Sequence, residues 1–210
     1  MALAGDLTCT GALVRDIDRA DELGTIRASD CAAVLWRRDP KPGFQDWIDT
    51  LDPSRLPTAR MVLRPEAVVE TIQHLCDVSG LGDGPEREWL EADIADLATR
   101  FAALMKAPYL RLRMDAVKTN ACSKFHVDAM LARLICTYRG SGTQYGVSPD
   151  RTEPREVSQA PTGCPMIMRG SLWPVDGSSV FLHRSPPIAG TGETRLVLVL
   201  DPIYDLEDAD

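Results

Sequence analysis

Two kinds of hydrophobic spacing divide the chain near Pro108. Upstream, apolar residues recur at helical intervals. Val68, Val69, Ile72, Leu75 and Cys76 share one face of a helix predicted from Pro65, a residue suited to a first helical turn, to about Val78. Trp89, Leu90, Ile94, Leu97, Phe101 and Leu104 form the stripe of a second helix predicted from Pro85 to Ala107. A shorter helix is predicted over Phe44–Leu51 after the turn Pro40–Gly43, with strands over Cys31–Trp36 and Thr58–Arg64. Downstream, a period of two takes over. Along Tyr109–Val117, Leu110, Leu112, Met114 and Ala116 point one way while Arg111, Arg113 and Asp115 point the other. Leu131–Tyr138, Pro165–Met168, Ser179–His183 and Thr194–Leu200 are predicted as further short strands. Gly140-Ser141-Gly142 ends the first of these, and residues 146–162 read as a polar loop.

This order predicts an α+β chain: a barrel or sandwich of short strands carrying helices on its outside. We read residues 1–210 as a single domain. Residues 1–28 form a loose lead-in, 29–107 a mixed helical and strand support, and 108–204 the β core.

Composition narrows the partners. The formal net charge is -8 at pH 7, and the longest basic run is Arg37-Arg38, so nucleic acid is not expected. No apolar run reaches membrane-spanning length. The first residues lack the basic start of a signal peptide, and the six cysteines form no CxxC pair. A cytoplasmic location with reduced thiols is expected. The substrate, whether small molecule or protein, and the oligomeric state are open.

Candidate chemistry gathers around two of the three histidines. His126 and Asp128 lie two apart in Lys124-Phe125-His126-Val127-Asp128, so on an extended segment their side chains point the same way. His183 lies on a later predicted strand, and Arg195 opens the apolar run Leu196–Leu200. Two imidazoles and one carboxylate on one side of an ion leave positions open, the pattern of non-haem Fe(II) oxygenases. Arg195 shares a face with Val197 and Val199, and a guanidinium there would match a carboxylate bidentately.

The order of these residues resembles the 2-oxoglutarate/Fe(II)-dependent dioxygenase superfamily. More narrowly, the chain resembles the DUF1826 proteins from about Cys31 to Asp201. That likeness is carried by Lys124–Asp128, Tyr138–Gln144, His183–Pro187 and Arg195-Leu196. It implies a double-stranded β-helix (jelly roll) with N-terminal flanking helices. It also implies Fe(II) held by His126, Asp128 and His183, with Arg195 on 2-oxoglutarate. The activity implied is a hydroxylase that converts 2-oxoglutarate to succinate. One departure stands out: where some members carry Asn-x-Tyr, this chain has Asp115-Ala116-Val117, which leaves the second co-substrate contact unassigned.

Other readings stand beside this one. His126 and Asp128 also fit a metal-free turn pair, His183 a core histidine, and Arg195 an ion pair with Glu193 or with a carboxylate elsewhere. Arg111, Arg113 and Asp115 suit either a solvated face or a barrel lining, and Arg133 and Tyr138 are candidates for co-substrate contact. His74, Trp173 and Cys164 read as structural. Cys122, four residues before His126, keeps zinc as an alternative metal. From a different functional class comes a cupin-like metal-binding or sensing protein linked to zinc homeostasis, without oxygenase activity.

Overall fold

In the computed structural model, residues 13–174 and 180–209 are described. The strands are β1 (Val14–Ile17), β2 (Ala33–Trp36), β3 (Ala59–Leu63), β4 (Tyr109–Val117), β5 (Ala132–Arg139), β6 (Gln144–Val147), β7 (Ser158–Gln159), β8 (Met166–Arg169), β9 (Phe181–Arg184) and β10 (Arg195–Ile203). The helices are α1 (Phe44–Thr50), α2 (Val68–Val78) and α3 (Pro85–Met105). One seven-stranded sheet runs β1-β2-β8-β5-β10-β4-β3, and a three-stranded sheet runs β7-β6-β9. All described pairings are antiparallel except β1 with β2.

Period-two alternation sorts the large sheet into two faces. On one, Leu110, Leu112 and Met114 of β4, Leu134, Cys136 and Tyr138 of β5 and Leu196, Leu198 and Leu200 of β10 pack with Leu90, Ile94, Leu97 and Phe101 of α3. Burying each large side chain there stabilises the fold by about 1.5–3 kcal/mol. A polar clasp fixes the helix on the sheet. Arg38 grips both oxygens of Asp93 on α3 at 2.5 and 2.7 Å, and the Tyr138 hydroxyl donates to the same carboxylate at 2.6 Å. On the other face, Met166 and Met168 of β8 and Ala33 and Leu35 of β2 join Tyr145 of β6 and Phe181 of β9 in a second core between the sheets.

Several sequence expectations shift. Residues 1–12 of the expected lead-in, with Cys9, and Ser179 of the strand predicted over Ser179–His183 lie outside the described residues. The rest of the lead-in is ordered. Val14–Ile17 pairs with β2, and Ala20–Arg27 forms a 3-10 helix that buries Leu23 and Ile26. Arg169 anchors that helix through the carbonyls of Ile26 and Ala28. Helix α2 begins at Val68, because Pro65–Ala67 takes a 3-10 turn. The expected loop over residues 146–162 holds the end of β6 and all of β7. Both β7 residues are exposed, so no alternation marked them. Gly142 is required where this segment returns: a Cβ there would sit 1.8 Å from the Ala160 carbonyl oxygen.

Among the described residues, no helix is long and apolar enough to cross a membrane.

Candidate metal centre

His183 lies in β9, opposite Tyr145 of β6. On its other side, the His183 and His126 backbones exchange two hydrogen bonds of 3.0 Å. This isolated bridge extends the small sheet by one position and sets the two imidazoles side by side, their ring centroids 4.5 Å apart. The Asp128 carboxylate lies near both imidazoles. Its Oδ1 lies 3.6 Å from His126 Nε2, and its Oδ2 lies 3.2 Å from His183 Nε2. One donor atom from each residue falls within 4.8 Å of the other two. The structure therefore brings His126, Asp128 and His183 together. Cys122, which lines a cavity with His126 and His183, does not join this ligand cluster.

The segment carrying Asp128 is held from behind. Ser171 N donates to the Asp128 carbonyl at 2.8 Å, Gly170 N to Leu131 at 2.8 Å and Leu172 N to Met130 at 3.1 Å. Only glycine fits at position 170, because a Cβ would lie 2.0 Å from the Met130 carbonyl oxygen and 2.8 Å from that of Asp128.

The protonation chemistry suits a cation. The Nδ1 of His126 meets the Lys124 carbonyl at 2.8 Å, so Nδ1 carries the proton and Nε2 offers its lone pair toward Asp128. Hydrogen bonding with Asp128 raises the His126 pKa against the pull of burial, whereas burial lowers that of His183. Burial opposes ionisation of Asp128, yet its contacts with the two imidazoles and the charges of His183 and Arg133 outweigh it and hold the carboxyl far below the usual range. Its buried Oδ2 lacks the alignment of a hydrogen bond with any described group. An ionised oxygen left so is costly unless a cation meets it.

Arg195 is 1% exposed and opens on the same cavity, of about 90 Å³, as His126 and His183. Its Nε donates to the Ser141 carbonyl at 2.5 Å and its Nη2 to Thr137 Oγ1 at 3.3 Å. Glu193, the partner in the alternative ion-pair reading, instead accepts from the Ser141 amide and hydroxyl. Among the described residues no carboxylate pairs with Arg195. Burial lowers its pKa to about 10, with the Glu193 charge opposing, so it stays a cation at neutral pH. Thr143 also lines the cavity, and its buried hydroxyl lacks a partner among the described residues. A larger open groove of about 800 Å³ runs past Pro40, Asp46, Asp49 and Glu193, and no residue of the His-Asp-His cluster lines it.

The profile of a family described as "Protein of unknown function (DUF1826)" matches residues 17–201. The chain belongs to this family. No curated protein matches it. Among solved structures, a rice dioxygenase for auxin oxidation is 15% identical, with 93% of this DUF1826 chain and 84% of the rice chain covered and a TM-score of 0.49. The Arabidopsis thaliana dioxygenase for auxin oxidation 1, in a complex with 2-oxoglutarate, is 9% identical, with 92% and 93% covered and the same TM-score of 0.49. An oxidoreductase of the 2OG-Fe(II) oxygenase family from Burkholderia pseudomallei is 12% identical, with 90% and 97% covered and a TM-score of 0.43.

The other sequence candidates of this DUF1826 protein take varied places. Arg113 lines the cavity, with its Nη2 3.8 Å from Asp201. Arg133 faces the centre but is engaged by Asp128 and Asp201. Tyr138 points the other way, into the helix-facing core, because it lies an odd number of positions from Arg133 on one strand. Arg111 and Asp115 are half-buried on β4 and His74 is exposed on α2. Trp173 stacks against Arg169, and Cys164 donates to the Arg38 carbonyl. Thr143, Gly170 and Asp201 were not singled out from sequence. For Asp201 a signal existed: it is a lone acid closing the apolar run from Leu196.

Proposed function

We propose that this protein is a non-haem Fe(II)/2-oxoglutarate-dependent oxygenase, a hydroxylase. The observation that carries this reading is Arg195: a buried guanidinium with no carboxylate partner among the described residues, opening on the cavity that His126 and His183 of the cluster also line. A buried charge of that kind is costly without an anion. A short dicarboxylate that chelates the metal at one end would supply the anion at the other. The strand order supports the reading. From β5 onward the strands are dealt between the sheets, with β5, β8 and β10 in the large one and β6, β7 and β9 in the small one, the arrangement of a double-stranded β-helix.

In this proposal His126 Nε2, His183 and Asp128 Oδ2 would hold the metal, and the orphaned Oδ2 is the structural sign that they fit it. Bound Fe(II) with 2-oxoglutarate and dioxygen would supply the oxidising equivalents for hydroxylation, as 2-oxoglutarate leaves as succinate and carbon dioxide. The protein's own part is to bind and orient. Arg195 receives the far carboxylate, the Thr143 hydroxyl is the second donor to it, and Val197 and Val199 wall the cavity from bulk water. A carboxylate in the triad favours hydroxylation over halide transfer, since the oxygen of Asp128 fills the position a halide would need.

The test is anaerobic addition of 2-oxoglutarate to Fe(II)-loaded protein. A metal-to-ligand absorption band and saturable binding are expected, with succinate formed once oxygen is admitted. Arg195→Gln is expected to weaken 2-oxoglutarate binding by 100-fold or more, about 3 kcal/mol, with metal affinity unchanged. No band and no binding in the wild type would overturn the co-substrate assignment.

A further inference from the structure

The carboxylate of Asp128 has two oxygens in different circumstances. Oδ1 accepts from Arg133 Nη1 at 2.7 Å, while Oδ2 is buried beside His183 with no hydrogen bond from any described group. Arg133 is itself locked. Its Nε and Nη2 clamp the two oxygens of Asp201 at 2.7 and 2.9 Å, which fixes the plane of the guanidinium and leaves Nη1 aimed at Asp128. A planar fork can be held this way; a lysine ammonium cannot. The side chains of Asp128, Arg133 and Asp201 are 11%, 14% and 4% exposed, so water competes little for these contacts. The three residues come from different segments: Arg133 from β5, Asp201 from β10 and Asp128 from the stretch after His126.

We propose that Arg133, oriented by Asp201, is the positioning residue of the metal centre: it commits Oδ1 of Asp128 and leaves Oδ2 as the single oxygen offered to a divalent cation. The proposal rests on the metal-binding reading above. A carboxylate that gives one oxygen occupies one coordination position, and the remaining positions stay open for co-substrate and oxygen. Without Arg133 both oxygens of Asp128 are free to bind, and the carboxylate is free to turn. The charges agree: Arg133 stands between two carboxylates, so the trio keeps one negative charge for a cation to meet. Arg113 Nη2 lies 3.8 Å from Asp201 Oδ2, the oxygen to which Arg133 Nη2 donates.

Cobalt(II) titration of the 210-residue chain tests this. Three variants are compared with wild type: Asp201→Asn, which loosens the clamp without touching Asp128, Arg133→Lys and Arg133→Met. Affinity for cobalt is expected to fall roughly 10–100-fold in Asp201→Asn and Arg133→Met. The visible spectrum of the bound cobalt is expected to change as Asp128 gains freedom to offer both oxygens. Arg133→Lys should recover part of the affinity and none of the spectrum. Melting of the metal-free proteins is followed in parallel. Variants that melt earlier but bind cobalt with wild-type affinity and spectrum would mean a structural ion pair only, and would overturn the proposal. If Arg133→Met does not fold, Asp201→Asn and Arg133→Lys carry the same decision. A wild-type chain that takes up no cobalt would sink the metal reading itself and this proposal with it.

Discussion

At the scale of single residues, His126 and His183 differ in what a proton costs them. Asp128 raises the pKa of His126, and burial lowers that of His183. A metal needs both imidazoles neutral, so protons compete with it first at His126. Metal uptake should therefore be complete above the raised His126 pKa, which lies above the ordinary value of about 6.5, and should fall as pH drops through it. The expected slope is about tenfold in affinity per pH unit, steepening lower down where His183 also takes a proton. Cobalt binding measured from about pH 8.5 to 5.5 checks this, and a flat profile would contradict it. The His126–Asp128 spacing was readable in sequence, because residues two apart on extended backbone share a side whatever the fold. The clamp of Arg133 by Asp201 was not, because it joins strands distant in the chain. Nothing local to Arg133 distinguishes it from Arg111 or Arg113.

At the scale of elements, β10 does two jobs through alternation. Leu196, Leu198 and Leu200 face the helices, while Arg195, Val197, Val199 and Asp201 face the site. Its register against β4 and β5 slides none of these off the site without moving the leucines into the cavity. The turn after β8 matters as much, since Gly170 lets its backbone close on residues 128–131. Gly170→Ala is expected to destabilise the protein by about 1–3 kcal/mol and to weaken cobalt binding at the same time, because the Met130 and Asp128 carbonyls must retreat. Denaturant unfolding with and without cobalt measures both, and unchanged values in each would contradict this account of the close approach. The longer helices were legible because their stripes repeat over many residues. Strands β1, β6 and β7 were not: they have four, four and two residues, and tertiary pairing rather than local pattern makes them strands.

At the scale of the molecule, the large sheet carries the helix-packed core on one face and, on the other, a smaller second core together with the candidate metal site. Phe101 of α3 is fully buried on the helix side. Phe101→Ala is expected to cost about 3–5 kcal/mol in denaturant unfolding while leaving the cobalt affinity of the folded protein as in wild type. A matched loss of metal affinity would mean that the two faces are coupled. Sequence alone determined the helical face from Val68 to Cys76, the two faces of β4, the pairing of His126 with Asp128 and the candidacy of His183 and Arg195. Each of these depends on backbone periodicity or on residue type, which are local properties. Tertiary structure decided the rest: the bridge that sets His183 beside His126, the want of a carboxylate at Arg195 among the described residues, and the locking of one Asp128 oxygen by Arg133 and Asp201. Those depend on which strands lie next to one another and in what register, and no spacing along the chain encodes that neighbourhood by itself.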